Sequence, residues 1–235
     1  MSLKWRELIN EINTTSDAYL LCVSGGVDSM FLLTLFAKNC TQNIRVAHFN
    51  HRLRTTADTE EAFVQKTCEA YGLEFLSAKG DPVAMREASS LEAEARNQRY
   101  SFFGSIQREG ELLVTGHHAN DQLETVLLRL MRGYPDDNLR MKKLCGSRYR
   151  PLLEIPKAVI VDQARRRQIP WMEDASNEDN AFERNWVRNV LVPQMMERRN
   201  VLKTIGLKKP RDSELGRRSD IESFRREETR ERLSF

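Results

Sequence analysis

Three consecutive segments decide the fold: AYLLCV at 18–23, SGGVDS at 24–29 and MFLLTLF at 30–36. The first is an apolar run of strand length, and the third is apolar at a density that suits a helix. Between them, Gly25-Gly26 lets the backbone adopt positive φ and approach a ligand closely. A helix starting near Asp28 would aim its free N–H groups and positive dipole end at whatever the loop holds. Ser24 and Ser29 add hydroxyl donors, and Asp28 is placed to organise a metal or to cap the helix. The segments therefore predict an oxyanion cradle at the C-terminal end of a buried strand, where open α/β sheets bind ligands. A strand-turn-helix corner with Asp28 or Ser29 as cap is the alternative.

Outward from that loop, strands and helices alternate. Residues 3–13 predict an amphipathic helix through Leu3, Leu8, Ile9 and Ile12, and Ser29–Asn39 predicts a second helix. Asn43–Asn50 reads as a strand and Thr59–Tyr71 as a helix with Ala62, Phe63, Cys68 and Ala70 inward. Leu73–Ala78 is a strand and Lys79–Ala88 a loop. A helix follows to about Glu109, opened by a Ser89/Glu92 capping box. Leu112–Thr115 is a further strand and Gln122–Met131 a helix, while 133–150 shows no period. Arg150–Leu153 predicts an extended segment. A helix over 156–168 follows, with Ala158, Ile160, Val161 and Ala164 inward. Trp171–Asn180 is a polar loop, and Glu183–Arg199 a last helix. This alternation predicts an open, largely parallel sheet with helices on both faces. Residues 1–198 form the expected domain and 199–235 a charged, basic tail.

Composition bounds the partners. The tail carries 11 Lys/Arg against 7 Asp/Glu, and the remainder 26 against 27. Positive charge is thus concentrated at one end, which suits an anionic partner such as RNA but also a solvated surface. No run of 18 apolar residues occurs and the N-terminus lacks a signal-peptide centre, so a cytoplasmic protein without membrane segments is expected. Cys22, Cys40, Cys68 and Cys145 are widely spaced, which argues against a disulfide framework or a zinc site. Oligomeric state is not legible.

Polar groups gather where strands end or helices begin: SGGVDS, HFNHRLR at 48–54, SLEAEAR at 90–96 and GHHANDQLET at 116–125. In a parallel sheet the first, second and fourth converge on one edge. Arg96 and Arg99 lie one turn apart, so both are able to face a phosphate. Asp121 and Glu124 share a helix face that suits a cation or ammonium group. Each also has a structural reading: His48 or His51 as strand-end hydrogen-bonders, Asp121 as a helix cap, Arg96 as an ion-pair partner.

Taken in order, these motifs resemble the N-terminal catalytic domain of the tRNA(Ile)-lysidine synthase family, within the PP-loop ATP-splitting enzymes. The resemblance runs from about 15 to 195. It includes the RPLL tetrapeptide at 150–153, Glu173–Asn177, and Arg184-Asn-Trp-Val-Arg188-Asn. It implies a ligase that adenylates the wobble cytidine of an isoleucine tRNA with ATP and Mg²⁺. L-lysine then displaces AMP. In that reading Ser24, Gly25, Gly26, Val27, Asp28 and Ser29 hold the nucleotide, and His48, Asn50 and His51 lie beside it. Asp28 organises the metal, Arg96 stabilises phosphate charge or grips the RNA, and Asp28, Arg96 and Asp121 are the catalytic set. Asp121 and Glu124 bind the lysine amine; Arg184 and Arg188 hold its carboxylate or the tRNA backbone. Other PP-loop tRNA-modifying enzymes, and a catalytically weak tRNA- or nucleotide-binding relative, remain alternatives. The sequence departs from the family after Arg132-Gly133, where Tyr134-Pro135-Asp136 replaces a glycine-rich segment, and in ending soon after the catalytic domain.

Overall fold

A computed structural model describes residues 3–173, 183–198 and 201. The expectations for 174–182 and for most of the tail lie outside them. Helix α1 (Leu3–Thr15) precedes β1 (Ala18–Cys22), α2 (Val27–Asn39), β2 (Asn43–Asn50), α3 (Ala57–Tyr71) and β3 (Glu74–Lys79). Then come α4 (Pro82–Glu87), α5 (Leu91–Ile106), β4 (Leu112–Val114) and α6 (Ala119–Met131). Two short strands, β5 (Leu144–Cys145) and β6 (Arg148–Tyr149), lead to α7 (Lys157–Arg166), α8 (Glu183–Trp186), a π-turn at Val187–Leu191 and α9 (Val192–Arg198).

The six strands lie in the order β3-β2-β1-β4-β6-β5, parallel except for the β5–β6 pair. Order reverses beside β1: the chain runs outward to β3 and returns to place β4 on the other side. Parallel crossovers are almost always right-handed, so the outward and return connections cover opposite faces. The buried side chains divide accordingly. Tyr19, Leu21 and Val23 face the larger core with α1, α2, α3 and α7, represented by Ile12, Phe31, Val64 and Ile160. Leu20, Ala47 and Phe49 face Met85 of α4 and Phe103 of α5. Strand alternation within AYLLC thus feeds two cores.

Several expectations are corrected. Residues 82–87 are helical within the expected loop, because Asp81 caps the N–H groups of Val83 and Ala84 and Pro82 supplies a helical φ. Ser90, not Ser89, caps α5 by accepting from Ala93. Helix α6 begins at Ala119, three residues early. The aperiodic stretch 133–150 supplies β5 and β6, the latter extending the sheet beside β4. Arg150–Leu153 turns rather than extends, with Leu153 N–H bonded to Arg150 O at 3.2 Å. Ala62, Ala70 and Ala158 are exposed; Val64, Cys68, Ile160 and Ala164 set the buried phase. The last helix is broken by the π-turn, with Val192 N–H reaching Val187 O. Pro193 explains it: a proline has no N–H and crowds the carbonyl four residues back, which a wider turn relieves.

Candidate active site

The turns after β1 and β4 meet at the reversal of strand order. Gly25 has φ +96°, a conformation side-chain-bearing residues resist. Ser29 Oγ sits at the loop's centre: it accepts from the N–H groups of Ser24 and Gly25 at 3.2 Å and donates to Gly26 O at 2.9 Å. Ser24 Oγ lies 3.2 Å from it. Helix α2 starts after Gly26 with no side-chain cap, which leaves its first N–H groups directed at the loop. The returning turn passes close by, since a Cβ on Gly116 would lie 3.3 Å from the Asp28 carbonyl carbon and 3.4 Å from Ser29 N.

Asp28 projects from the first turn of α2 into this crevice. Its Oδ2 is 3.5 Å from His118 Nε2 and 3.6 Å from Lys157 Nζ, while Oδ1 is buried without a hydrogen-bond partner. Burial raises its pKa, but His118 and Lys157 outweigh burial and hold the carboxyl below its usual range. His118 is the N-cap of α6. Its Nδ1 accepts from Asp121 N–H at 3.3 Å, and Asp121 Oδ2 accepts from His118 N–H at 2.9 Å. Burial lowers the His118 pKa, yet Asp28 and Asp121 together raise it above the ordinary value. One imidazole therefore connects the loop carboxylate to the acidic end of α6.

Glu124, one turn further along α6, is 2% exposed. It accepts from Arg184 Nε at 3.0 Å and from Arg188 Nε and Nη2 at 2.8 and 2.9 Å. Both guanidiniums also lie 3.6 Å from Asp121 Oδ1. Burial pushes the Glu124 carboxyl up, but the two arginines more than offset it and hold it below its usual range. The four residues expected to bind the amino acid thus form one network.

The last residues of β2, and His51 just after it, flank the loop. His48 Nδ1 bonds Val23 O at 2.8 Å and burial lowers its pKa. Asn50 donates to Asp58 and Glu61 and accepts from Arg52 N–H, so its side chain braces the β2–α3 turn. His51 packs edge-on against Phe49, and burial first, then Arg99 and Arg54, lower its pKa to about 4. Arg96 packs over the Tyr100 ring at 4.7 Å, where Arg99 and Arg148 join it. The loop after α6 is tied down: Arg129 donates to Asn138 O at 2.7 Å, and Gln122 exchanges two hydrogen bonds with the Met141 backbone.

Sequence reasoning did not single out His118 as the cap, nor Lys157, Tyr100 or Arg148. His118 had a signal in its position three before Asp121. Lys157 had none, since its nearness to Asp28 depends on how α7 packs beside α2.

Fold and site together define an α/β protein with a Gly-Gly loop, followed by an uncapped helix start, at the switch point of its sheet. The model of the PP-loop domain family matches residues 1–195, and the chain belongs to that family. Among curated proteins it is 36% identical over 184 residues to tRNA(Ile)-lysidine synthase of Haemophilus ducreyi, covering 76% of this chain and 42% of that protein. It is 39% identical over 191 residues to the Chlorobaculum tepidum protein of the same name, covering 77% and 58%. The chain therefore spans about half the length of these relatives. Among solved structures, the U34-tRNA thiolase NcsA from Methanococcus maripaludis superposes with TM-score 0.66 at 16% identity, over 86% of this chain and 74% of that one. NMN synthetase from Francisella tularensis gives 0.55 at 13%, over 91% and 99%. At such identities these likenesses speak to the fold alone. Among the described residues no helix is long and apolar enough to cross a membrane.

Proposed function

We propose that the chain carries the catalytic unit of an ATP-dependent tRNA-modifying ligase of the lysidine-forming type. The observation that supports this reading is the His118 bridge, which links Asp28 of the Gly-Gly loop to Asp121 at the near end of the acid–arginine network. A reaction that activates one substrate with ATP and then adds an amine needs those two sites adjacent.

In this reading the wobble cytidine's O2 attacks the α-phosphorus of ATP, and the bond to the β-phosphate breaks to release pyrophosphate. The ε-amine of L-lysine then forms a bond to C2, the C2–O bond breaks, and AMP leaves with the amine's proton lost to a base. The Ser24–Ser29 backbone and hydroxyls bind the phosphates, and the uncapped start of α2 favours their charge. Lysine carries both an ammonium and a carboxylate, and the Asp121/Glu124 and Arg184/Arg188 set has a counter-charge for each. His48 and Asn50 act from behind by fixing the loop's flank, with His51 neutral beside them. Arg96 serves the phosphate charge or the RNA.

Among the described residues no cluster of three or more His, Cys, Asp or Glu could hold a metal alone. Asp28, with an unpartnered buried oxygen, suits Mg²⁺, which proteins bind through one or two carboxylates shared with substrate phosphates. When bound, that ion would neutralise charge on the departing pyrophosphate. Residues 1–198 are taken as the catalytic unit and 199–235 as a basic extension.

The test is pyrophosphate release from ATP with a tRNA whose wobble base is cytidine. Release that requires the tRNA and is lost in Asp28→Asn supports the reading; release indifferent to Asp28 counts against it.

A further inference from the structure

The turn that joins β1 to α2 fixes most of its own peptide groups. Ser29 Oγ accepts from Ser24 N–H and Gly25 N–H, and it donates to Gly26 O, which also accepts from Met30 N–H at 3.0 Å. The peptide between Gly25 and Gly26 is the exception. Its carbonyl accepts from Met172 N–H at 3.0 Å, a residue far along the chain. Gly26 N–H, on the opposite edge of the same plane, has no partner among the described residues.

That peptide also has the most freedom to turn. A peptide plane rotates by changing ψ of the residue before it and φ of the residue after it, and here both are glycine. Gly25 holds φ +96° and Gly26 φ −72°. Turned over, the plane would present its carbonyl oxygen where it now presents an N–H, and an anion would meet a negative dipole in place of a donor. No side chain of SGGVDS bonds this peptide; the Met172 backbone does.

Met172 is itself held independently of the loop. Helix α7 buries Ile160 and Ala164 in the larger core, and beyond its end Ile169 N–H reaches back to Ala164 O at 2.9 Å. Ile169 is buried there as well, and Trp171 packs against the same cluster. The start of α7 is tied through Lys157 N–H to Asn120 Oδ1 at 3.0 Å. Residues 169–172 thus form a strap anchored on the core, which lays one N–H against the side of the loop opposite Gly26 N–H. We propose that the Met172 backbone is a positioning group for the nucleotide loop. It locks the Gly25–Gly26 peptide so that Gly26 N–H joins the free N–H groups of α2 as a preorganised donor to phosphate. The ligand class rests on the proposed function; the orientation of the peptide does not.

The full chain is titrated with inorganic pyrophosphate and with ATP, each with magnesium, and followed through its backbone amides by NMR. In the parent, Gly26 N–H should shift as pyrophosphate is added, while Met172 N–H stays protected from hydrogen exchange throughout. Met172→Pro removes the donor and keeps an apolar residue. It is expected to weaken both ligands by about tenfold or more, since a hydrogen bond to a charged group is lost. The Gly26 resonance should also broaden or split. Met172→Leu, which returns the N–H, should restore both affinities and the single resonance. Pyrophosphate bound as tightly by Met172→Pro as by the parent, with native circular dichroism, would overturn the assignment. So would a Met172→Leu as weak as the proline variant. If the proline variant fails to fold, the parent decides: a Met172 N–H that exchanges freely, or a Gly26 N–H unmoved while Val27 or Asp28 N–H shifts, would overturn the lock. A loop in which no amide responds to either ligand would overturn the donor role together with the proposed function. Binding intact in a chain that forms no lysidine would leave the lock standing and remove only the proposed reaction.

Discussion

Arg188 grips Glu124 with two parallel hydrogen bonds, Nε to Oε1 at 2.8 Å and Nη2 to Oε2 at 2.9 Å, across 64 residues of chain. The pair ties the π-turn to α6, where Leu123 and Leu128 pack against Val187 and Val192. The ion pair and the apolar contacts thus dock the π-turn on α6 together.

Removing one partner of such a pair leaves the other buried without a counter-charge, at a cost of about 3–5 kcal/mol. Glu124→Ala is expected to lower the thermal midpoint clearly, and the double change Glu124→Leu with Arg188→Leu to recover part of it. Differential scanning calorimetry of the two variants decides. Equal midpoints for Glu124→Ala and the parent would make the pair energetically idle.

Gly116 and Gly25 are expected to tolerate alanine differently. At Gly116 the new Cβ would crowd the Asp28 backbone at 3.3 Å, so the start of α2 must shift and nucleotide affinity should fall. At Gly25 the space is open to 3.6 Å, but the residue sits at φ +96°. Strain of roughly 1–3 kcal/mol should then appear mainly as reduced stability. Isothermal titration with ATP and urea unfolding separate the two outcomes.

The Asp28–His118 pair has opposite limits in pH. Asp28, with its pKa depressed on folding, contributes stability above the unfolded value of about 3.9 that is lost as pH falls through the lower folded value. His118, with its pKa raised, contributes below about 6.5, and that contribution is lost as pH rises through the higher folded value. In Asp28→Asn the imidazole loses a principal stabilising partner, so its titration by NMR should move downward. A His118 titration unmoved by that change would contradict the assigned pairing.

Much of this was legible from local pattern. Asn43–Asn50 is a strand at the expected bounds because its branched and aromatic residues alternate between two cores. SGGVDS marked the turn at the switch point through residue types that have few other uses together. What was not legible depends on separation in sequence. The spacings of Asp121 with Glu124 and of Arg184 with Arg188 set one helix face each, yet nothing local says that the two faces meet. Strands β5 and β6 have two residues apiece, too few for a period, and form because β4 leaves an edge to pair. Helix α4 did carry a signal, Asp81-Pro82, which the surrounding Gly80 made resemble a loop.

The proposed function requires a nucleotide-activating loop and an amine-binding network to act on one RNA base. Labelled L-lysine is incubated with the full chain, ATP and tRNA transcripts that differ only in a cytidine or uridine at the wobble position. The account predicts label in the cytidine transcript alone, with one pyrophosphate released per lysine added and neither product formed by Asp28→Asn. Pyrophosphate release without lysine incorporation at saturating enzyme, or equal labelling of both transcripts, would contradict it.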